Sequence, residues 1–149
     1  MAQVVFTVRR SLRLPAQAVF DELIDWSGHA EWVPMTKVQI LEGDGGVGTS
    51  FVATTGLGKA ALPDRMRVEA LDREAMTVHI VKIGPVLTGD VHLAVTASSN
   101  TTCELSWVED VRVPGLPAFL ARPVAAAASK AFTSSIDRMA KRVTRRSQV

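Results

Sequence analysis

The longest regular pattern in the chain lies near its end. Between Leu116 and Arg146 the apolar residues Leu120, Val124, Ala128, Phe132, Ile136, Met139 and Val143 recur in steps of three or four. That spacing lines one face of an α-helix. Ser129, Lys130, Ser134, Asp137, Arg138, Lys141 and Arg145 fall on the other side. Ala125 to Ala128 are strong helix formers that permit close packing. A continuous helix here runs ~45 Å at 1.5 Å per residue, and a helix of that length needs a large apolar surface to lie on.

Most of the remaining chain alternates with period two and can supply that surface. Val4, Phe6, Val8 and Leu12 share one side of a strand, and Arg10 interrupts that side, which predicts a place near a sheet margin. Pro15 opens a short helix carrying Ala18, Val19, Phe20, Leu23 and Ile24 and fading near Asp25. A second short helix is expected with Ser27 as its cap and Pro34 as its end. Further strands are expected from Val38 to Leu41, Gly48 to Thr55, Asp64 to Leu71, Met76 to Ile83, Leu87 to Ala97 and Thr102 to Val113. Turn-rich stretches such as Glu42 to Gly46 and Ser98 to Asn100 separate them. In the Asp64 strand, Met66 and Val68 read inward and Arg65, Arg67 and Glu69 outward. Turn-length links make the sheet an antiparallel meander, with one face for the long helix and one for water.

Composition adds limits. The length predicts a single domain over residues 1–149. A hydrophobic content of 47% with 21% charge is that of a globular protein. No stretch approaches ~18 uninterrupted apolar residues, so no membrane span is expected. The first ten residues carry their charges after the apolar run and lack a small-residue cleavage site, unlike a secretory signal. The lone cysteine, Cys103, excludes an internal disulfide and a cysteine-based metal motif. A cytoplasmic location is the expectation. The net charge of +2 is unevenly placed: Arg138, Lys141, Arg142, Arg145 and Arg146 occupy the last twelve positions, where there is no acid. Cations there complement the helix dipole, and no nucleic-acid partner is expected.

Few residues suggest chemistry. Cys103, Leu105, Trp107, Glu109 and Val111 share one face of the last strand by alternation. If Leu105 and Trp107 face inward, Glu109 does too, where it can orient a polar ligand group or act as a general base. His79, Asp90 and His92 lie on neighbouring strands, but their register is not fixed by the sequence. His92 falls opposite Val91, Leu93 and Val95, and His79 opposite Val78 and Ile80, so both read outward. No metal and no cofactor are expected. His29 lies between Trp26 and Trp32. Gly56-Leu57-Gly58-Lys59 lacks phosphate-loop spacing, and no nucleophile sits in a Gly-x-Ser-x-Gly setting.

Three phrases carry a family resemblance: Leu12 to Phe20 at the strand-to-helix junction, Asp25-Trp26 through Trp32-Val33-Pro34, and Thr102 to Trp107 in the last strand. With the element order, they resemble the helix-grip superfamily of START-like (SRPBCC) proteins, in its polyketide cyclase/dehydrase-like branch. The resemblance covers nearly the whole chain and implies an α+β helix-grip fold: a curved antiparallel sheet wrapped around a long C-terminal helix, with two short helices after the first strand. It also implies an elongated hydrophobic cavity between sheet and helix. The expected function is binding, and in some members transport, of a lipid-like or other hydrophobic or amphipathic small molecule. Trp32, Phe51, Trp107, Phe119, Leu120 and Phe132 are the expected walls and Glu109 the polar anchor. A pocket of ~300–1,000 Å³ is anticipated. The alternative is an enzyme, an aromatase/cyclase or dehydratase, for which Glu109, Asp90 and His79 are the candidate acid–base groups.

Overall fold

A computed structural model describes residues 2–147; Met1 and residues 148–149 of the expected domain lie outside them. The strands are β1 (Ala2–Leu12), β2 (Thr36–Glu42), β3 (Ser50–Thr55), β4 (Leu62–Asp72), β5 (Thr77–Ile83), β6 (Thr88–Ala97) and β7 (Cys103–Val113). Helix α1 (Ala16–Leu23) follows β1, and α2 (Ala121–Ser147) follows β7. The sheet is antiparallel throughout, in the order β1-β7-β6-β5-β4-β3-β2. The first strand therefore joins the meander beside its last strand.

Alternation decides which residues meet the helices. Val4, Phe6 and Val8 of β1, Val78 and Ile80 of β5, Val91, Leu93 and Val95 of β6, and Leu105 and Trp107 of β7 form one core with Val19, Phe20 and Leu23 of α1. Register shifts interrupt β2 near Leu41 and β4 near Glu69; an extra residue of this kind bends a strand. Gly89 of β6 sits tight against the backbone of β7. A Cβ added there would stand 2.0 Å from the Asp110 carbonyl oxygen, and its φ is +140°, so only glycine fits.

The long helix differs from its expected span. The chain is extended at Pro117, makes one 3-10 turn over Ala118–Leu120, and becomes α-helical only at Ala121. Pro123 sits in the first turn, where its missing N–H leaves no gap. Only the later part of the apolar stripe is fully buried, at Ile136, Met139 and Val143. Val124, Ala125, Ala128 and Phe132 are partly buried against the core. The second short helix is also different: it is a 3-10 segment, Ser27–Glu31, with no bond from a Ser27 cap. Asp25 takes that role, its Oδ1 accepting from the Gly28 N–H at 3.3 Å.

Charged pairs tie α2 down at both sides. Arg10 does break the apolar face of β1, but it reaches inward and forks onto Asp137 at 2.7–3.0 Å. Glu22 of α1 is only 3% exposed. It accepts from Arg142 Nε at 3.1 Å and Arg146 Nη1 at 2.6 Å. The basic helix end thus serves a buried carboxylate as well as the helix dipole. Among the described residues no helix is long and apolar enough to cross a membrane.

Candidate functional site

A cavity of about 100 Å³ lies between the inner face of the sheet, the Ser27–Glu31 segment and α2. Phe51, Met66, Ile80, Val91, Trp107 and Phe132 make its apolar wall. That volume is below the ~300–1,000 Å³ of ordinary ligand pockets and corrects the expectation of a large one. The space is taken by aromatic rings. Phe132 stacks on Phe6 at 5.5 Å and lies 4.9 Å from Trp107. On the other side of Phe132 a more open groove of about 380 Å³ runs over Val33, Pro34, Ala131, Ser134 and Arg138. Val33, Thr55 and Phe132 line both spaces.

The polar lining is concentrated on β4, β5 and β7. Lys82 follows Val78 and Ile80 in phase and is therefore turned inward, 6% exposed. Its Nζ bonds to Asp64 Oδ2 and stands 4.0 Å from Glu109 Oε2. Desolvation pulls the Lys82 pKa down, but Glu109 and Asp64 together outweigh it and hold the ammonium above its usual value. Trp107 Nε1 donates to Glu109 Oε1 at 3.0 Å. Asp64 Oδ1 is buried and has no hydrogen-bond partner among the described residues. Two carboxyl groups share one ammonium here, so the chamber has acceptor capacity left over.

His29 closes the chamber from the helical side. Its ring is half-buried and keeps an edge on the cavity. Burial drives its pKa from 6.5 down to about 4, against the opposing pull of the Leu23 carbonyl and Asp25. The neutral ring donates from Nε2 to the Leu23 carbonyl at 2.7 Å. Nδ1 then carries a lone pair with no hydrogen-bond donor from the described residues.

Of the residues expected as walls, Phe51, Trp107 and Phe132 line the chamber, as does the expected anchor Glu109. Trp32 is buried behind it, 4.6 Å from His29 and edge-on to Trp107 at 6.4 Å. Phe119 is 79% exposed and Leu120 half-buried, both in the 3-10 turn away from the chamber. The helix face expected to carry them begins only after them. His79 and Asp90 are on the outer face of the sheet and cannot reach a ligand in the chamber. Asp64 and Lys82 also line the chamber and are missed by the sequence reading, although parity with Met66 and with Val78 and Ile80 marks them both as inward.

The family described as polyketide cyclase/dehydrase and lipid transport matches residues 3–144. No curated protein matches the chain in sequence. Among solved structures, the fold is similar to that of the Zhui aromatase/cyclase from Streptomyces sp. R1128, with a TM-score of 0.81 at 16% identity, covering 97% of this chain and 95% of that one. A protein from Thermus thermophilus gives 0.78 at 13% identity, covering 96% and 99%. Norcoclaurine synthase from Thalictrum flavum, solved with dopamine and hydroxybenzaldehyde, gives 0.72 at 16%, covering 97% and 88%. With the family matched almost end to end on a seven-stranded helix-grip fold, the chain belongs to the polyketide cyclase/dehydrase and lipid transport family of the SRPBCC superfamily.

Proposed function

We propose that this protein binds a hydrophobic or amphipathic small molecule between the sheet and α2, with a hydrogen-bond-donating head against Asp64 and Glu109. The observation that carries the reading is the buried Asp64 Oδ1, left without a hydrogen-bond partner among the described residues, in a chamber whose remaining wall is largely apolar rings and aliphatic chains beside Lys82, Glu109 and His29. A buried acceptor without a donor costs about 1–3 kcal/mol, and a phenol, alcohol or amine on a ligand would recover that. The chamber alone admits one small ring. A longer ligand would place its tail in the groove beyond Phe132. A cytoplasmic site of action accords with the lone, buried thiol of Cys103.

The test is titration with matched aromatic probes, one bearing a phenol and one a methyl ether in its place, followed by tryptophan emission. The phenol is expected to bind more tightly. Glu109→Gln should narrow that preference while leaving the ether's affinity nearly unchanged, because the apolar walls supply most of the binding. Trp107→Phe should remove most of the signal and Trp26→Phe little of it, since Trp26 lies outside the chamber lining, stacked on Phe51 at 5.2 Å. Failure of every probe, with a co-purifying ligand also absent by native mass spectrometry, would overturn the proposal.

A second reading, an aromatase/cyclase or dehydratase, is favoured by the convergence of His29, Asp64, Lys82 and Glu109 on one chamber. His29 Nδ1 would accept a proton from carbon beside a carbonyl, and the Lys82 ammonium would donate to the departing hydroxyl. With a β-hydroxyketone mimic, which loses water as the α-proton goes to His29 and the hydroxyl leaves protonated, His29→Gln and Lys82→Met should then depress turnover more than binding. Recovery of the bound mimic unchanged leaves the binding role alone.

A further inference from the structure

The outer face of the sheet carries a cluster that the chamber does not use. His79 of β5 and His92 of β6 are direct register partners. Their rings stack with centroids 4.3 Å apart and planes within 8°. Asp90, two residues before His92 and so on the same face, accepts from His79 Nε2 at 2.7 Å. One ligand atom from each of the three lies within 4.8 Å of the others. We propose that His79, Asp90 and His92 bind a divalent transition-metal cation such as Zn²⁺.

Three observations support this assignment. The donor set, two imidazoles and one carboxylate, is that of open zinc sites and of other N/O-ligated divalent metals. A tetrahedral cation with bonds of ~2.0–2.1 Å needs donors ~3.3 Å apart. The exposed His92 and half-buried His79 can splay by side-chain rotation to close the remaining gap without moving the strands. Second, Ala70, Ala94, Ser106 and Val108 are small or short and leave a depression of about 320 Å³ in front of the rings. Water or an exogenous ligand can complete the coordination there. Third, Asp90 stands directly opposite Asp110 in the β6–β7 register, and like charges directly opposed destabilise a sheet. Asp110 is engaged by Gln3 Nε2 at 2.8 Å, whereas Asp90 is turned to the imidazoles. A cation there offsets the repulsion. Coordination through His79 Nε2 leaves the neutral imidazole's single proton on Nδ1, and the Asp90 carboxylate that accepted from Nε2 becomes a ligand beside it.

The test uses the untagged full-length chain, stripped with a chelator and titrated with Zn²⁺. One equivalent is expected to bind with micromolar or tighter affinity. Histidine side-chain NMR signals of His79 and His92 should shift, and those of His29, on the inner side of the sheet, should not. His79→Ala, His92→Ala and Asp90→Asn should each weaken binding about tenfold or more, with an unchanged far-UV spectrum and unchanged probe binding in the inner chamber. Absence of saturable binding by the folded wild type overturns the proposal. So does binding that His79→Ala leaves intact.

Discussion

At the scale of single residues, the position of a titratable group relative to the sheet matters more than its identity. The three histidines show this. His79 and His92 sit on the wet face, and His29 is held neutral in the interior. Below its unfolded pKa of 6.5 the unfolded chain takes up a proton that folded His29 refuses. Stability from this residue is therefore full above pH 6.5 and is lost as pH falls toward about 4. The loss is roughly 3 kcal/mol at 1.36 kcal/mol per pKa unit. Urea denaturation of wild type and His29→Gln at pH 7 and pH 4.5 measures it. The variant should lose less on acidification, and equal losses would mean that His29 is not held neutral. Lys82 and Asp64 carry the same lesson: each is a charged residue in an inward phase, visible by counting from its apolar neighbours.

At the scale of elements, Glu22 and the end of α2 act as a latch. The carboxylate is almost fully buried, while the side chains of its partners Arg142 and Arg146 are 32% and 52% exposed. The two ends of the pair are therefore unequal. Removing both arginines strands a buried charge, which costs about 3 kcal/mol, the low end of the range for a broken buried pair. Glu22→Gln should cost less, because freed arginines can turn to solvent. Adding Glu22→Gln to the Arg142→Ala/Arg146→Ala protein should restore part of the stability. Midpoints of chemical denaturation for the four proteins check this, and no recovery in the triple variant would mean the arginines act by packing alone. The sequence places these cations at a helix C-terminus correctly, but their partner lies 120 or more residues away. No local pattern encodes such a pairing.

At the scale of the molecule, the sheet grips α2 firmly over its second half and loosely over its first. Phe132 stands at the boundary, between the small chamber and the outer groove. Phe132→Ala should cost about 2 kcal/mol, below the ~3–5 kcal/mol of a fully buried Phe, because the ring is only partly covered. It should also join the two spaces and strengthen the binding of longer apolar probes. Denaturation and probe titration on the same variant separate the effects. If affinity falls along with stability, Phe132 is a wall and not a door.

The sequence by itself determined the order of elements and the antiparallel meander, which follow from local periodicity: two along the strands, between three and four along α2, with turn chemistry between. The helix-grip fold was legible through the family resemblance carried by phrases such as Leu12 to Phe20. The sequence also determined which face of β7 Trp107 and Glu109 share. Only the tertiary structure decided how far the space between sheet and helix stays open, because that depends on how Phe6, Trp107 and Phe132 pack together from three separate elements. It also decided that Phe119 lies in solvent, since a 3-10 turn over Ala118–Leu120 follows the extended Pro117 before the α-helix begins. The meeting of His79 with His92 was likewise beyond reading from alternation, which gives a residue's face but not its register. Register is set by the β5–β6 connection and the pairing across it, and one step of slip would have placed the two imidazoles on opposite sides of the sheet.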